Sequence, residues 1–440
     1  MKISNGDKPL EPIPEIGMDI GLGMGKEHRE HVPFPGLRAL SSLRNPDFRL
    51  FYFALLGQMA AMNMQMMSRS LLVYRVSGSA TILGVMALAT AMPMLMFSLL
   101  GGVIADRVQK KYVLMVGQSI NAVVAFVVAL TLSFGYLSAE QTGSWWILLV
   151  ASVFQASVMA LMMPSRQAII AEIVGEEQLM NAVALNTLGM NGFRLLAPAI
   201  AGFLIDSIGF KAIYYTMTCM YLMAVIFISR IPPTSSMSIA GRGALNDLID
   251  GLKYIRHDAT IVLILLFALF ASFVSMPYMH LMPIFADDIL KVGAMGMGVL
   301  FSVSGIGAVA GSIVMASLPN KKRGLMLLSS GIILGLAVMG FSFSRFWYLS
   351  LSLITLVGVG QSGRMTLSNT LLQYYVNPDY RGRVMSVYMM EFGLSSLGVF
   401  AAALLADSFG VQWSLGGIAI ILTLVSLIML GFIPRIRNLD

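Results

Sequence analysis

The sequence predicts an all-α membrane protein, with twelve transmembrane helices arranged as two pseudo-symmetric six-helix bundles. Three observations carry that expectation: an apolar composition, twelve long apolar runs, and cations gathered in alternate connections. Of 440 residues, 57% are hydrophobic and 12% charged, and the mean hydropathy is +0.80. Soluble domains carry roughly 25% charged residues, so this composition suits hydrocarbon as its solvent. Cys219 is the one cysteine, which excludes an internal disulfide; inside an apolar run it reads as a small buried hydrophobe.

A helix needs about 20 mostly apolar residues to cross the hydrocarbon. The segments that qualify are 48–75, 81–105, 112–134, 145–169, 180–208 and 211–229, then 260–284, 293–317, 324–343, 346–371, 384–406 and 411–433. Helices suit these runs better than barrel strands, because the runs are long and show no ten-residue alternation. Residues 1–44 hold prolines, glycines and scattered charge with no apolar core of a secretory signal, and read as a flexible cytoplasmic tail.

Two bundles follow, over 45–229 and 259–440, joined by a polar linker at 230–258. In the linker, Leu245, Leu248, Ile249, Leu252 and Ile255 fall at helical spacing and suggest a surface helix. With both termini inside, cytoplasmic connections hold Arg107, Lys110, Lys111, Arg230, Arg242, Lys253, Arg256, Lys321, Lys322, Arg323, Arg381, Arg383, Arg435 and Arg437. The other face has Arg75, Lys211, Lys291 and Arg345. This positive-inside asymmetry accounts for the net charge of +7 without nucleic acid, and places the chain in a plasma membrane, the bacterial inner membrane being the expected one.

The halves echo each other. "LIDSIGF" (204–210) ends span five and "LADSFGV" (405–411) ends span eleven, while "GGVIADRVQKK" (101–111) after span two faces "GSIVMASLPNKK" (311–322) after span eight. Two like-oriented halves fit a parallel repeat about an axis along the membrane normal.

Ionisable residues deep in a span cost roughly 2.5–3.5 kcal/mol on insertion scales and so face a cavity or a partner. Arg69, Arg194, Arg364 and Glu391 qualify. Each rides a polar stripe at helical spacing: Gln58, Gln65 and Arg69; Thr187, Asn191 and Arg194; Gln361, Arg364 and Ser368; Tyr388, Glu391 and Ser395. Arg364 and Glu391 lie at similar depth and are expected to pair, either as a static tie or as a proton switch. His280, between Pro277 and Pro283, is a rival proton site or a structural histidine. Methionine clusters such as "MAAMNMQMM" (59–67) offer an adaptable apolar surface or plain core packing.

Some patterns exclude functions. "GVGQSG" (358–363) matches a dinucleotide fingerprint but lies within a span with no preceding strand, so close helix packing explains it. There is no phosphate-binding G-x-x-x-x-G-K-[ST] loop and no metal constellation, so neither cofactor nor enzymatic activity is expected.

The stretch "GVIADRVQKK" (102–111) resembles the loop signature G-x-x-x-D-R-x-G-R/K-R/K of the major facilitator superfamily, with Gln109 in place of the usual glycine. Residues 276–312 and 371–398 resemble its twelve-span exporters, the group that includes the enterobactin exporter and macrolide efflux proteins. "APAIAG" (197–202) looks like the antiporter motif GPxxGG, keeping Pro198 and Gly202. The resemblance implies the major facilitator fold and a secondary-active exporter of small amphipathic molecules, a drug, siderophore or metabolite, by proton-coupled antiport. It further implies a monomer, and a latch in which Gly102, Asp106, Arg107, Lys110 and Lys111 meet the start of span eleven near Arg383. Arg69, Arg194, Arg364, Glu391, Gln65, Asn191 and Gln361 are the expected cavity and proton-coupling residues. An importer or uniporter of the same fold, and a non-transporting membrane receptor or scaffold, remain the alternatives.

Overall fold

The computed structural model describes residues 41–138, 140–141, 143–233, 253–319 and 321–440, excepting the side chains of 41, 98–100, 102–103, 105–106 and 176–177. Most of the expected tail and most of the linker, with Leu245, Leu248, Ile249 and Leu252, therefore lie outside the described residues. Ser41–Arg44, at the tail's end, forms a 3₁₀ turn whose Ser42 hydroxyl donates to the Gln178 carbonyl.

Twelve long helices follow among the described residues. The first half has α1 (Pro46–Ser77), α2 (Ala80–Arg107), α3 (Lys110–Ser133), α4 (Trp146–Gly175), α5 (Gln178–Ile208) and α6 (Phe210–Ser229). The second has α7 (Ala259–Ser275, continued by Pro277–His280), α8 (Gly293–Ser317), α9 (Arg323–Phe343), α10 (Trp347–Tyr375), α11 (Arg381–Met389 and Glu391–Phe409) and α12 (Val411–Phe432). Caps and breakers set the ends. Asn45 accepts from the Asp47 and Phe48 amides at the start of α1, just before Pro46. Gly175, at φ 69°, ends α4 in a conformation that side chains other than glycine's resist. Ten helices are long and apolar enough to cross a membrane; α1 and α10, the other two, carry the polar stripes of Arg69 and Arg364.

Within the halves, α3 packs on α6, and α9 on both α10 and α12. Two seams cross between halves, α5 against α8 and α2 against α11. Both rest on close backbone approach. A Cβ on Gly298 would fall 2.3 Å from the Pro198 carbonyl oxygen, and one on Gly202 2.4 Å from that of Ala294. A Cβ on Gly84 would lie 2.9 Å from the Phe400 Cα. In lipid no hydrophobic force drives helices together, so such dispersion contact supplies the adhesion. "APAIAG" is thus part of a seam, and "GVGQSG" is likewise packing: a Cβ on Gly358 would meet the Ser304 carbonyl at 2.1 Å.

At one face each seam ends in the same device. Asp206, closing α5, accepts from the backbone amides of Ala294 (3.3 Å) and Met295 (2.8 Å) at the start of α8. Asp407, closing α11, accepts from the amides of Ala80 and Thr81 and the Ser79 hydroxyl at the start of α2, each at 2.9 Å. Both aspartates belong to the repeated "LIDSIGF" and "LADSFGV" stretches. The spacing repeats as well. Gly84 and Gly298 each lie four residues past the first capped amide, and Gly202 and Ala403 four before the aspartate. Each half therefore caps a helix N-terminus in the other, where unpaired N–H groups and the helix dipole favour a carboxylate. Arg75 joins them at this face, gripping Asp287 with both Nε (2.8 Å) and Nη2 (3.0 Å), while Tyr74 bonds Asp288.

One expectation is corrected. Cys219 is exposed on α6 rather than buried; its run is apolar because that face of the helix meets lipid, a solvent hydropathy does not separate from a protein core.

Losing a cap costs about 0.5–2 kcal/mol, so Asp206→Ala and Asp407→Ala are each expected to open the sealed face, and together more than either alone. Spin labels at Lys211 and Arg345, both exposed, in a Cys219→Ser background would report it as a longer mean distance. Gly298→Val is expected to cost roughly 1–3 kcal/mol of thermal stability by overpacking a seam. Gly192→Ala, where nothing lies within 4 Å of the new Cβ, is the control.

Candidate functional site: a polar cavity between the halves

Three groups of polar residues sit inside the helices. In the first half, a network joins α1, α4 and α6. Arg69 Nη1 donates to the Ser152 hydroxyl (3.2 Å), Gln65 Nε2 donates to Gln155 Oε1, and the Tyr221 hydroxyl donates to Gln65 Oε1 (3.0 Å). Ser70, Thr90 and Met66 line a pocket with Arg69, and His280 closes it from α7. His280 thus lies at the boundary between the halves, beside a guanidinium.

The second group holds the expected pair. Arg364 Nη2 meets Glu391 Oε1 at 2.7 Å, and Nη1 donates to the Ala268 carbonyl of α7 at 3.1 Å. Gln361, one turn earlier on α10, accepts from the Ser275 hydroxyl (3.2 Å). Arg364 is 0% exposed and Glu391 4%, so the pair is enclosed by α7, α10 and α11 instead of lining a cavity. The spacing of the stripe could not distinguish the inside of a bundle from the space between bundles. α11 breaks at Met390, directly before Glu391. Among the described residues, Arg364 Nε and the Ser272 and Ser368 hydroxyls around the pair lack hydrogen-bond partners.

The third group is the α5 stripe. Pro198, Ala201 and Ile205 are buried, yet Thr187, Asn191 and Arg194 on the same helical face are exposed. The lipid side of α5 is marked by exposed Leu196, Ile200 and Phe203, roughly opposite. One face that is sealed near Asp206 and open further down describes a cavity closed at the capped end and open toward the other.

The connection after α2 is placed in part. Gly102 and Asp106 fall among the side chains outside the described set, and Arg107 is exposed. Lys110 pairs with Glu172 of α4 at 2.5 Å, and Lys111 donates to the Ser229 and Ile231 carbonyls at the end of α6. Both lysines thus tie helices of their own half. Arg383 lies over the Tyr380 ring at 5.4 Å.

Sequence reasoning missed Arg166, Glu172 and the roles of Asp206 and Asp407. Arg166 is 7% exposed, and its Nη1 has no hydrogen-bond partner. Ending the span at 169 put it at a membrane edge, whereas α4 runs on to Gly175. The internal repeat was the available signal. Arg166 stands in the fourth helix of its half as Arg364 does in the fourth of the other.

Comparison with known proteins places this architecture. A staphyloferrin A transporter of Staphylococcus aureus is 24% identical over 355 residues, covering 78% of this chain and 86% of that protein. The multidrug efflux pump Tap of Mycolicibacterium fortuitum is 24% identical over 417 residues, covering 91% and 99%. The enterobactin exporter EntS of Escherichia coli O1:K1 is 24% identical over 416 residues, covering 87% and 93%. Among solved structures, a bacterial homologue of the human lysosomal transporter Spinster superposes with a TM-score of 0.71 at 13% identity, covering 89% of this chain and 98% of that one. A D-xylose–proton symporter gives 0.68 at 11%, covering 90% and 99%. Both share the overall fold of this chain. The family model described as transmembrane secretion effector matches residues 37–440, so this chain belongs to that family of the major facilitator superfamily and is a multi-pass membrane transporter.

Proposed function

We propose that this protein is a secondary-active exporter that carries small amphipathic molecules outward by alternating access between bundles 45–229 and 259–440. The observation that carries this reading is the α5 face, sealed at Pro198–Ile205 and exposed at Thr187, Asn191 and Arg194. Relatives named for efflux of drugs and siderophores support the direction. Both termini are cytoplasmic in this reading, by the positive-inside asymmetry, so the structure is the inward-open state and Asp206 and Asp407 hold the outer gate. In the opposite state Asp106 takes the start of α11 near Arg383 as its partner. The protein works as a monomer, with Pro198 and Gly202 in the seam that rocks.

The coupling ion is the proton and Glu391 its carrier. A buried carboxylate that loses its cationic partner is in general a site where proton uptake can accompany movement. The break in α11 at Met390 is the hinge for that parting.

Proteoliposomes loaded with an amphipathic dye are expected to release it faster under an imposed pH gradient. Glu391→Gln is expected to abolish the gradient's effect. Because removing one partner of a buried pair costs about 3–5 kcal/mol, the double variant Arg364→Gln/Glu391→Gln serves to restore stability, checked by thermal melting, without restoring coupling. A rate indifferent to the gradient in the wild type would overturn antiport. No movement of any dye would favour a receptor.

A further inference from the structure

The charges inside the membrane do not balance, and the imbalance is itself informative. Glu391 is the one acidic residue placed away from helix ends and connections, and Arg364 already occupies it at 2.7 Å in the core of the second half. Arg69, Arg166 and Arg194 remain; Arg166 is buried in α4, where its Nη2 meets Met163 Sδ at 3.4 Å, which leaves Arg69 and Arg194 as the two on the pocket and the exposed stripe. Arg69 touches a neutral hydroxyl, that of Ser152, and neither arginine makes an ion pair among the described residues.

Their positions give them a common target. Arg194 lies fourteen residues before Ile208 on α5, about 21 Å below the sealed end, on the exposed cavity stripe. Arg69 lies eight residues before Ser77 on α1, about 12 Å below that end, in the pocket it shares with His280. Arg194 therefore stands midway along the exposed α5 stripe, and Arg69 nearer the sealed end in a small pocket beside His280. A charge held in low-dielectric surroundings without a partner is costly, and planar guanidinium forks match carboxylate-like groups. A cationic ligand would meet two fixed positive charges and no free carboxylate, an arrangement that rejects it.

We infer that the molecule this cavity binds is an amphipathic organic anion, whose acidic groups are taken by Arg194 and Arg69 while Met66 and its apolar neighbours receive the rest. The inference rests on the alternating-access reading for the transport step, but not for binding. It also adds a driving force, since a membrane potential negative inside favours the outward movement of an anion.

The test uses the purified full-length protein with two probes, anionic carboxyfluorescein and cationic ethidium. Fluorescence polarisation in detergent measures binding. Release from loaded proteoliposomes, with a valinomycin-set potential, measures transport. Carboxyfluorescein is expected to bind at least about tenfold more tightly than ethidium, and to leave faster when the lumen is negative. Arg194→Gln and Arg69→Gln are each expected to weaken its binding about tenfold at unchanged melting temperature, and Arg194→Lys to keep most of it. Arginine-dependent binding of the anion without release would uphold the inference and sink the alternating-access reading. Release of ethidium as fast as carboxyfluorescein, anion binding indifferent to both glutamine variants, or binding of neither probe would overturn the inference.

Discussion

Each half of this protein finishes a helix that belongs to the other. Asp407 supplies the cap that α2 lacks, and Asp206 the cap that α8 lacks. An orphan amide that met neither water nor a carboxylate would cost free energy, so the closed face is stable while the two halves stay in register. When the halves part, water replaces the carboxylate on the amides and the amides on the carboxylate. The net difference is then a cap's worth, about 0.5–2 kcal/mol each, rather than the desolvation of a buried charge. Such a seal holds and also lets go.

The seams beneath the caps follow the same logic. Gly202, Gly298 and Gly84 bring backbones to distances that admit no side chain, so adhesion comes from many weak contacts over a smooth surface. No large side chain has to leave a socket when one half tilts. Because cap and glycine are four residues apart on α2 and α8 alike, the two seams load equally, and rocking about an axis between them disturbs both in the same way.

The long helices and the repeat were legible because bilayer thickness fixes helix length and lipid selects apolar runs. The Arg364–Glu391 pair was legible from depth alone, since two opposite charges at one level of a bundle have little choice but to meet. Its burial was not. A polar stripe marks which face avoids lipid but not which neighbour it faces, and that depends on how α7 turns its Ala268 carbonyl toward α10. Likewise "LIDSIGF" and "LADSFGV" were visible as an echo, while the partners of their aspartates are amides, which every residue but proline carries. Lys110 reads as part of a latch because its neighbours match a signature; its pairing with Glu172 in this structure depends on how α3 and α4 converge. Arg166 was hidden by a span boundary drawn at 169, six residues before the kink where glycine ends α4.

The three deep arginines of the sequence reading part company once their surroundings are compared. Arg364 has a carboxylate, a carbonyl and no exposure, so its charge is answered within its own half. Arg69 and Arg194 face polar neutral groups or open space. A fold needing only cohesion would have little reason to retain them, because an alanine there would spare the cost of inserting charge. The same cost becomes useful if a ligand of opposite sign arrives to offset it, since binding then gains what the empty site forgoes. Placing one arginine deeper than the other also lets an anion move stepwise toward the capped face without leaving favourable potential, and near that face it meets the contacts that must break for it to pass.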